Sequence, residues 1–194
     1  AGIHEIFACS DGIWVAATDI DSVVKLDYRG KLLERWCFHS DRKLAGSLGM
    51  TELPEVDWRK DHRRSKDELL DRGHLNGVIV EPDGRLVVTL GLVAPRPAPK
   101  RKLTAREEGG LLRRVKMKLR STDWYRRRQL ARSDREGAVI EVRPGTWKAR
   151  LLFRNPALVP DHNGVPFGDG ELLLNKTGTR ELLLIDRGSG EVKR

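Results

Sequence analysis

The stretch His74–Gly91, HLNGVIVEPDGRLVVTLG, decides how the chain is read, because it recurs in altered form on both sides. Upstream stands IHEIFACSDGIWVAATDIDSVVKLDYRGKLLERW (Ile3 to Trp36), and downstream DHNGVPFGDGELLLNKTGTRELLLIDRGSGEVKR (Asp161 to Arg194). Each copy opens near a histidine, passes through a short apolar run to an Asp-Gly pair, and resumes in a second apolar run. The spacing from His to Asp is 7 for His4–Asp11, 9 for His74–Asp83 and 7 for His162–Asp169. In the first copy HEIFAC, GIWVAAT, SVVKLDY and KLLERWC are four runs rich in branched and aromatic residues, broken by Asp11-Gly12, Asp19 to Asp21 and Arg29-Gly30. Such runs between turn signals predict a four-stranded antiparallel meander. A sheet repeated in this way cannot bury both faces alone, so several must pack around an axis, which predicts an all-β propeller.

The copies resemble blades of the NHL, SMP-30/gluconolactonase and streptogramin (virginiamycin B) lyase-like propellers, whose blades open with a His near the axis and carry a D-G-x-[LIV]-[WV] turn and strand. Here the pattern reads His4…Asp11-Gly12-Ile13-Trp14-Val15, His74…Asp83-Gly84-Arg85-Leu86-Val87 and His162…Asp169-Gly170-Glu171-Leu172-Leu173. The resemblance covers the three blade segments and neither stretch between them. The fold expected is a propeller, six-bladed when complete, with blades here at about 3–37, 74–153 and 161–194, a loop insertion at 38–73 and a basic, partly helical insertion at 94–136. The resemblance also implies that a divalent cation and the reaction share the channel mouth. His, not Glu, opens the first blade, a departure from the SMP-30 pattern that counts against sugar-lactone hydrolysis.

Three blades fall short of the roughly four to eight that close a ring. The last residues, Glu191 to Arg194, fall inside the expected fourth strand of the third blade. The ring is therefore expected to be completed by further sequence, by a second copy of the chain, or by a degenerate blade within the insertions, since unpaired edges are a liability. Cys9 and Cys37 fall on the first and last strands of one blade, which are not neighbours, so no disulfide is expected between them. No charged leader precedes the first blade and no apolar run reaches the ~18 residues of a membrane span, which predicts a soluble, cytoplasmic chain. A signal peptide already removed would leave no trace in it.

The first insertion reads as a Gly-containing loop at Leu44 to Gly49, a break at Pro54, and then VDWRKDHRRSKDELLDRG, a short helix with a solvated face. The second interrupts the middle blade between its second and third strands. From Ala94 to Glu136 it holds fifteen Lys or Arg against five Asp or Glu, a surplus of ten in a chain whose net charge is +9. The blades are thus close to neutral, and the basic pI belongs to one insertion. Between Leu111 and Ala131, Leu111, Val115, Met117, Leu119, Trp124, Tyr125 and Leu130 recur at roughly helical spacing among arginines. Such a segment packs on the blade or stays disordered, or else offers an arm to nucleic acid, a membrane surface or an acidic partner.

In a propeller the first strand of each blade lines the axis, so its starting residues converge at one rim of the channel. His4, His74 and His162 are expected in one ring, with Asn76 and Asn163 beside them. Three neutral imidazoles with open positions suit Zn, Fe, Mn or Cu, so the three histidines are the candidate ligands of a divalent metal ion. Such a metal would activate water or polarise substrate, with His74, His162, Asn76 and Asn163 as the catalytic set. Without metal, one His oriented by Asn, by Glu5 or by Asp161 could act as a general base. His39 and His62 read as surface loop residues. Gly-rich phosphate loops, paired Cys-x-x-Cys and nucleophile elbows are absent from the sequence. The expected function is a metal-dependent hydrolase or lyase-like enzyme acting on a small molecule at the channel mouth. The alternative is a non-catalytic scaffold binding a protein or anionic partner through residues 111–135.

Overall fold

The computed structural model describes residues 2–50, 53–58, 70–91, 93, 136–155, 161–176 and 181–193, the side chains of Asp161, His162, Asn163 and Lys176 excepted. The charged run from Arg59 to Leu69 and the basic segment Ala94 to Arg135 lie outside these residues, and with them the helices expected there.

Among the described residues, twelve strands form three four-stranded antiparallel sheets. The first comprises β1 (Ile3–Cys9), β2 (Gly12–Ala17), β3 (Ser22–Leu26) and β4 (Leu32–Cys37). The second comprises β5 (Leu75–Val80), β6 (Leu86–Leu90), β7 (Gly137–Arg143) and β8 (Lys148–Asn155). The third comprises β9 (Asp161–Phe167), β10 (Glu171–Lys176), β11 (Glu181–Asp186) and β12 (Val192–Lys193). In each, strands pair in chain order as a meander, and β6 pairs with β7 from Leu86↔Val142 to Leu90↔Ala138 although the basic insertion separates them in sequence. The first strands meet, β5 lying against both β1 and β9, which is the arrangement of propeller blades around an axis.

The second sheet is covered on both faces. Val78, Leu86, Val88 and Ile140 pack with Trp14, Val23 and Trp36 of the first sheet, whereas Ile79, Val87, Val139 and Phe153 pack with Leu172, Leu174 and Ile185 of the third. Alternate residues of one strand thus enter two different cores, which is why LVVTL carries no polar-apolar alternation. Trp14 and Trp36 are buried, as their place in the first copy predicts. Trp147, which the sequence leaves unplaced, stands edge-on to Trp14 at 6.5 Å between ring centroids.

Leu44 to Gly49 departs from the expected loop, for Arg42–Ser47 forms a short helix, α1. Asp41 caps it by accepting from the Leu44 amide at 2.9 Å. Leu44, Ala45 and Leu48 then enter the first core, and the Met50 amide closes the helix onto the Ala45 carbonyl. Tertiary burial stabilises a segment too short to be helical alone. Cys9 and Cys37 are both thiols. Among the described residues no helix is long and apolar enough to cross a membrane.

Candidate functional site at the inner strands

Each inner strand breaks register once near its start. The ladder skips His4 between Ile3 and Glu5, Asn76 between Leu75 and Gly77, and Asn163 between His162 and Gly164. A β-bulge therefore recurs in all three sheets, with His4, Asn76 and Asn163 as the extra residues. His74 precedes its bulge by two positions and His162 by one. The histidines consequently do not share a register position, as the sequence spacing had suggested. The Asn-Gly pairs do share one, and the glycines show why: a Cβ at Gly77 would lie 2.6 Å from Thr89 Oγ1 and 2.8 Å from Glu5 Oε2, and one at Gly164 would lie 2.4 Å from Leu174 Cδ2. A larger residue at either position would have to displace these side chains, of which only Glu5 belongs to another inner strand.

His4 and His74 nevertheless meet, their rings edge to face with centroids 5.3 Å apart. Asp71 carboxylate oxygens lie 3.1 Å from His74 Nδ1. Because a carboxylate only accepts, Nδ1 carries the proton and the neutral ring has its lone pair on Nε2. Asn76 hydrogen-bonds His4. Burial, and then the neighbouring His74, hold the His4 imidazole below its ordinary value, against the opposing pull of Asp19 and Asp71. His162 lies on β9 opposite Asn175, with Asn163 at the bulge; their side chains are outside the described set. Asn76 is 0 % exposed and lies beside the His4 ring.

The turn that delivers His74 is built by Asp21, which the sequence reading passed over. Its buried carboxylate accepts from the amides of Arg72 at 2.7 Å, Gly73 at 2.5 Å and Leu75 at 3.0 Å. Thr18 Oγ1 donates to the Leu75 carbonyl at 2.6 Å. Held from below, the chain passes through His74 with φ +52°, a left-handed conformation that an unsupported histidine rarely adopts. His39, expected on the surface, is 6 % exposed; its Nε2 lies 3.1 Å from Asp21 Oδ2 and its Nδ1 2.8 Å from the Pro54 carbonyl. Both nitrogens face oxygen atoms, one of a carboxylate and one of a carbonyl. The signal missed was an Asp at the foot of a turn whose partners lie more than fifty residues away.

Glu5 does not orient a histidine. Its Oε2 accepts from the Val78 amide at 2.7 Å, tying β1 to β5 through the space that Gly77 leaves. Burial pushes this carboxyl from its ordinary 4.5 up to about 7, against the stabilising Val78 amide. The native state therefore binds the proton more tightly than the unfolded chain. The contribution is fully present below pH 4.5 and is lost as pH rises through about 7. Glu5→Gln, which keeps an acceptor for Val78, is expected to flatten that dependence and to be about 2 kcal/mol more stable than the parent at pH 8. Urea melts of both proteins at pH 4.5 and pH 8 check this; parallel pH profiles would refute it.

No model of a known protein family matches the chain, and no curated protein matches it in sequence. Among solved structures, it is similar to a candidate 6-phosphogluconolactonase from Bacteroides fragilis, with TM-score 0.42 and 10 % identity over 99 % of this chain and 37 % of that one. A second candidate 6-phosphogluconolactonase, from Bacteroides uniformis, gives 0.43 and 9 % over 100 % and 39 %. The periplasmic gluconolactonase of Pseudomonas aeruginosa gives 0.41 and 11 % over 100 % and 38 %. The chain spans less than two fifths of the length of each. Its chemistry is read from its own residues.

Proposed function

We propose that this chain contributes the active site of a metal-assisted hydrolase or lyase-like enzyme, which takes a small molecule at the ends of the inner strands. One observation carries the reading: His4 and His74, from different sheets, bring their rings within 5.3 Å edge to face. Two imidazoles bound to one tetrahedral cation, at about 2.0–2.1 Å from each nitrogen, hold their ring centroids roughly 5 Å apart. The pair fits that spacing. The Asp71 carboxylate on His74 Nδ1 is the outer partner that metal-bound histidines usually have, and it would leave Nε2 available to hold an ion. Among the described residues no group of three His, Cys, Asp or Glu could hold a metal; the third ligand proposed is His162 of β9, from its place near the start of the third inner strand.

A bound divalent ion would supply Lewis acidity and a more acidic water. The chain's own residues do the rest. Asn76 fixes the His4 ring, Asp71 fixes the proton of His74 at Nδ1, and Asp21 fixes the turn from which His74 projects. Asn163, the extra residue of the third bulge, is proposed to position substrate.

The test is metal stoichiometry after incubation with zinc, manganese or calcium, on the parent, His4→Ala and a His74→Ala, His162→Ala double variant, each checked for folding by circular dichroism. About one ion per chain in the parent, with affinity lowered roughly 10–100-fold or more in the folded variants, is expected. A parent that takes up none of the three ions overturns the reading.

A further inference from the structure

The first insertion meets the Asp21 carboxylate at two separate places. Near its end, the amides of Arg72 and Gly73 donate to Asp21 Oδ2, and the Leu75 amide that follows donates to Oδ1. Near its start, His39 Nε2 stands 3.1 Å from Oδ2. Because a carboxylate only accepts, Nε2 carries a proton. The other ring nitrogen, Nδ1, lies 2.8 Å from the Pro54 carbonyl oxygen, so the same imidazole also touches the segment 53–58. The side chain of His39 is 1 % exposed and that of Asp21 0 %. Bulk water therefore does not compete for either group, and a lost partner is not replaced.

The main chain makes the same connection. His39 sits in the 3-10 turn Phe38–Ser40, and the Phe38 amide donates to the Asp21 carbonyl at 3.0 Å. Asp21 is thus held through its backbone by Phe38 and through its side chain by His39. A Cβ at Gly73 would lie 3.4 Å from both Phe38 Cδ1 and Asp21 Oδ2, so the turn before His74 rests against this same pair. Rotation of a carboxylate about its Cβ–Cγ bond is soft. A donor fixed at Oδ2 selects the orientation in which Oδ1 still meets Leu75. We propose that His39 is a positioning residue for the histidine pair: it fixes the carboxylate that shapes the turn carrying His74, and through Pro54 it ties the segment 53–58 to that turn. As a statement about metal binding this rests on the reading of His4 and His74 as ligands; as a statement about the His74 turn it does not.

Two substitutions separate the links. His39→Gln keeps an N–H donor for Asp21 and gives up the Pro54 contact, whereas His39→Leu gives up both. Gly12→Ala is the control for stability alone, since Gly12 pairs with Cys9 at the far end of the first hairpin from Ala17. Long-range proton–nitrogen NMR spectra of the metal-free proteins at about pH 8, above the ordinary imidazole range, read the His74 tautomer, assigned with His74→Ala. The parent, His39→Gln and Gly12→Ala are expected to hold the proton on Nδ1, beside Asp71, and His39→Leu to show both tautomers. Zinc titration of the same proteins is expected to give an affinity roughly tenfold lower for His39→Leu and little changed for the other two variants. Circular dichroism checks folding; should His39→Leu unfold, His39→Ala, which leaves the carboxylate to water, takes its place. A folded His39→Leu with the parental His74 spectrum overturns the inference. So does the same spectral change in Gly12→Ala, which would trace it to stability, or in His39→Gln, which would trace it to Pro54. A parent that binds no zinc, in which His39→Leu still alters the His74 ring, overturns the metal reading and upholds the positioning role.

Discussion

Asp21→Ala is expected to cost about 4–5 kcal/mol or more, enough to unfold most of a marginally stable domain. One carboxylate accepts from three backbone amides and from His39, all in a site with 0 % exposure at Asp21. Alanine leaves the amides of Arg72, Gly73 and Leu75 and the His39 ring without that acceptor, and no water can enter without opening the first core. Asp21 also holds φ +45°, which Asp and Asn tolerate better than Ala. Asp21→Asn should therefore lose roughly half as much: it keeps one oxygen and the turn, but puts an NH₂ where amides donate. Urea denaturation with two probes measures both losses, and a cost below about 1 kcal/mol for alanine would show that the network is dispensable. Under conditions where the variant still folds, histidine ring NMR signals should show the His4–His74 contact loosened, since the turn carrying His74 has lost its template.

Gly12→Ala should cost about 3 kcal/mol, by a different route. Gly12 pairs with Cys9 at the end of the first hairpin and has φ +148°, and a Cβ there would sit 2.3 Å from the Leu26 carbonyl oxygen. The obstructing atom is backbone in a strand paired on both edges, so it cannot swing aside as a side chain would. Gly30→Ala supplies the comparison: φ is +85° but nothing lies within 4 Å of the added carbon, so about 1 kcal/mol of conformational strain is all that is expected. Thermal melts of the two variants separate clash from strain. Equal losses would show that the close approach of β2 to β3 relaxes at little cost.

The meander in each copy was legible because every device that makes it is local. Asp11-Gly12, Asp83-Gly84 and Asp169-Gly170 mark the first hairpins, and the strands between turns are rich in residues that fit a pleated surface. The register of the inner strands was not legible from the same signals. Counting from His to Asp-Gly assumes equal turns, yet two residues separate the paired Cys9 and Gly12 while five separate the paired Val80 and Leu86. A bulge adds another residue without any change of composition. The aligned histidines of the sequence are thus a near miss: His4 shares its position with Asn76 and Asn163, and touches His74 only because the two sheets pack side by side.

Helix α1 and Asp21 fail to show in the sequence for a related reason. RKLAGS has no helical length, and Asp21 reads as one more acidic residue in a turn, until the first core accepts Leu44 and the turn before β5 lays three amides on one carboxylate. What the sequence alone determined here is the alternation of strand and turn, the placement of Trp14 and Trp36 in the core, and the confinement of the surplus charge to the segment from Ala94 to Glu136. Those follow from periods of two to five residues and from composition, which neighbours along the chain decide. Tertiary structure alone decided that His4 meets His74, that Asn76 lies beside His4, and that Asp21 holds the turn carrying His74. Each of these depends on groups more than fifty residues apart, and only the packing of whole sheets brings them together.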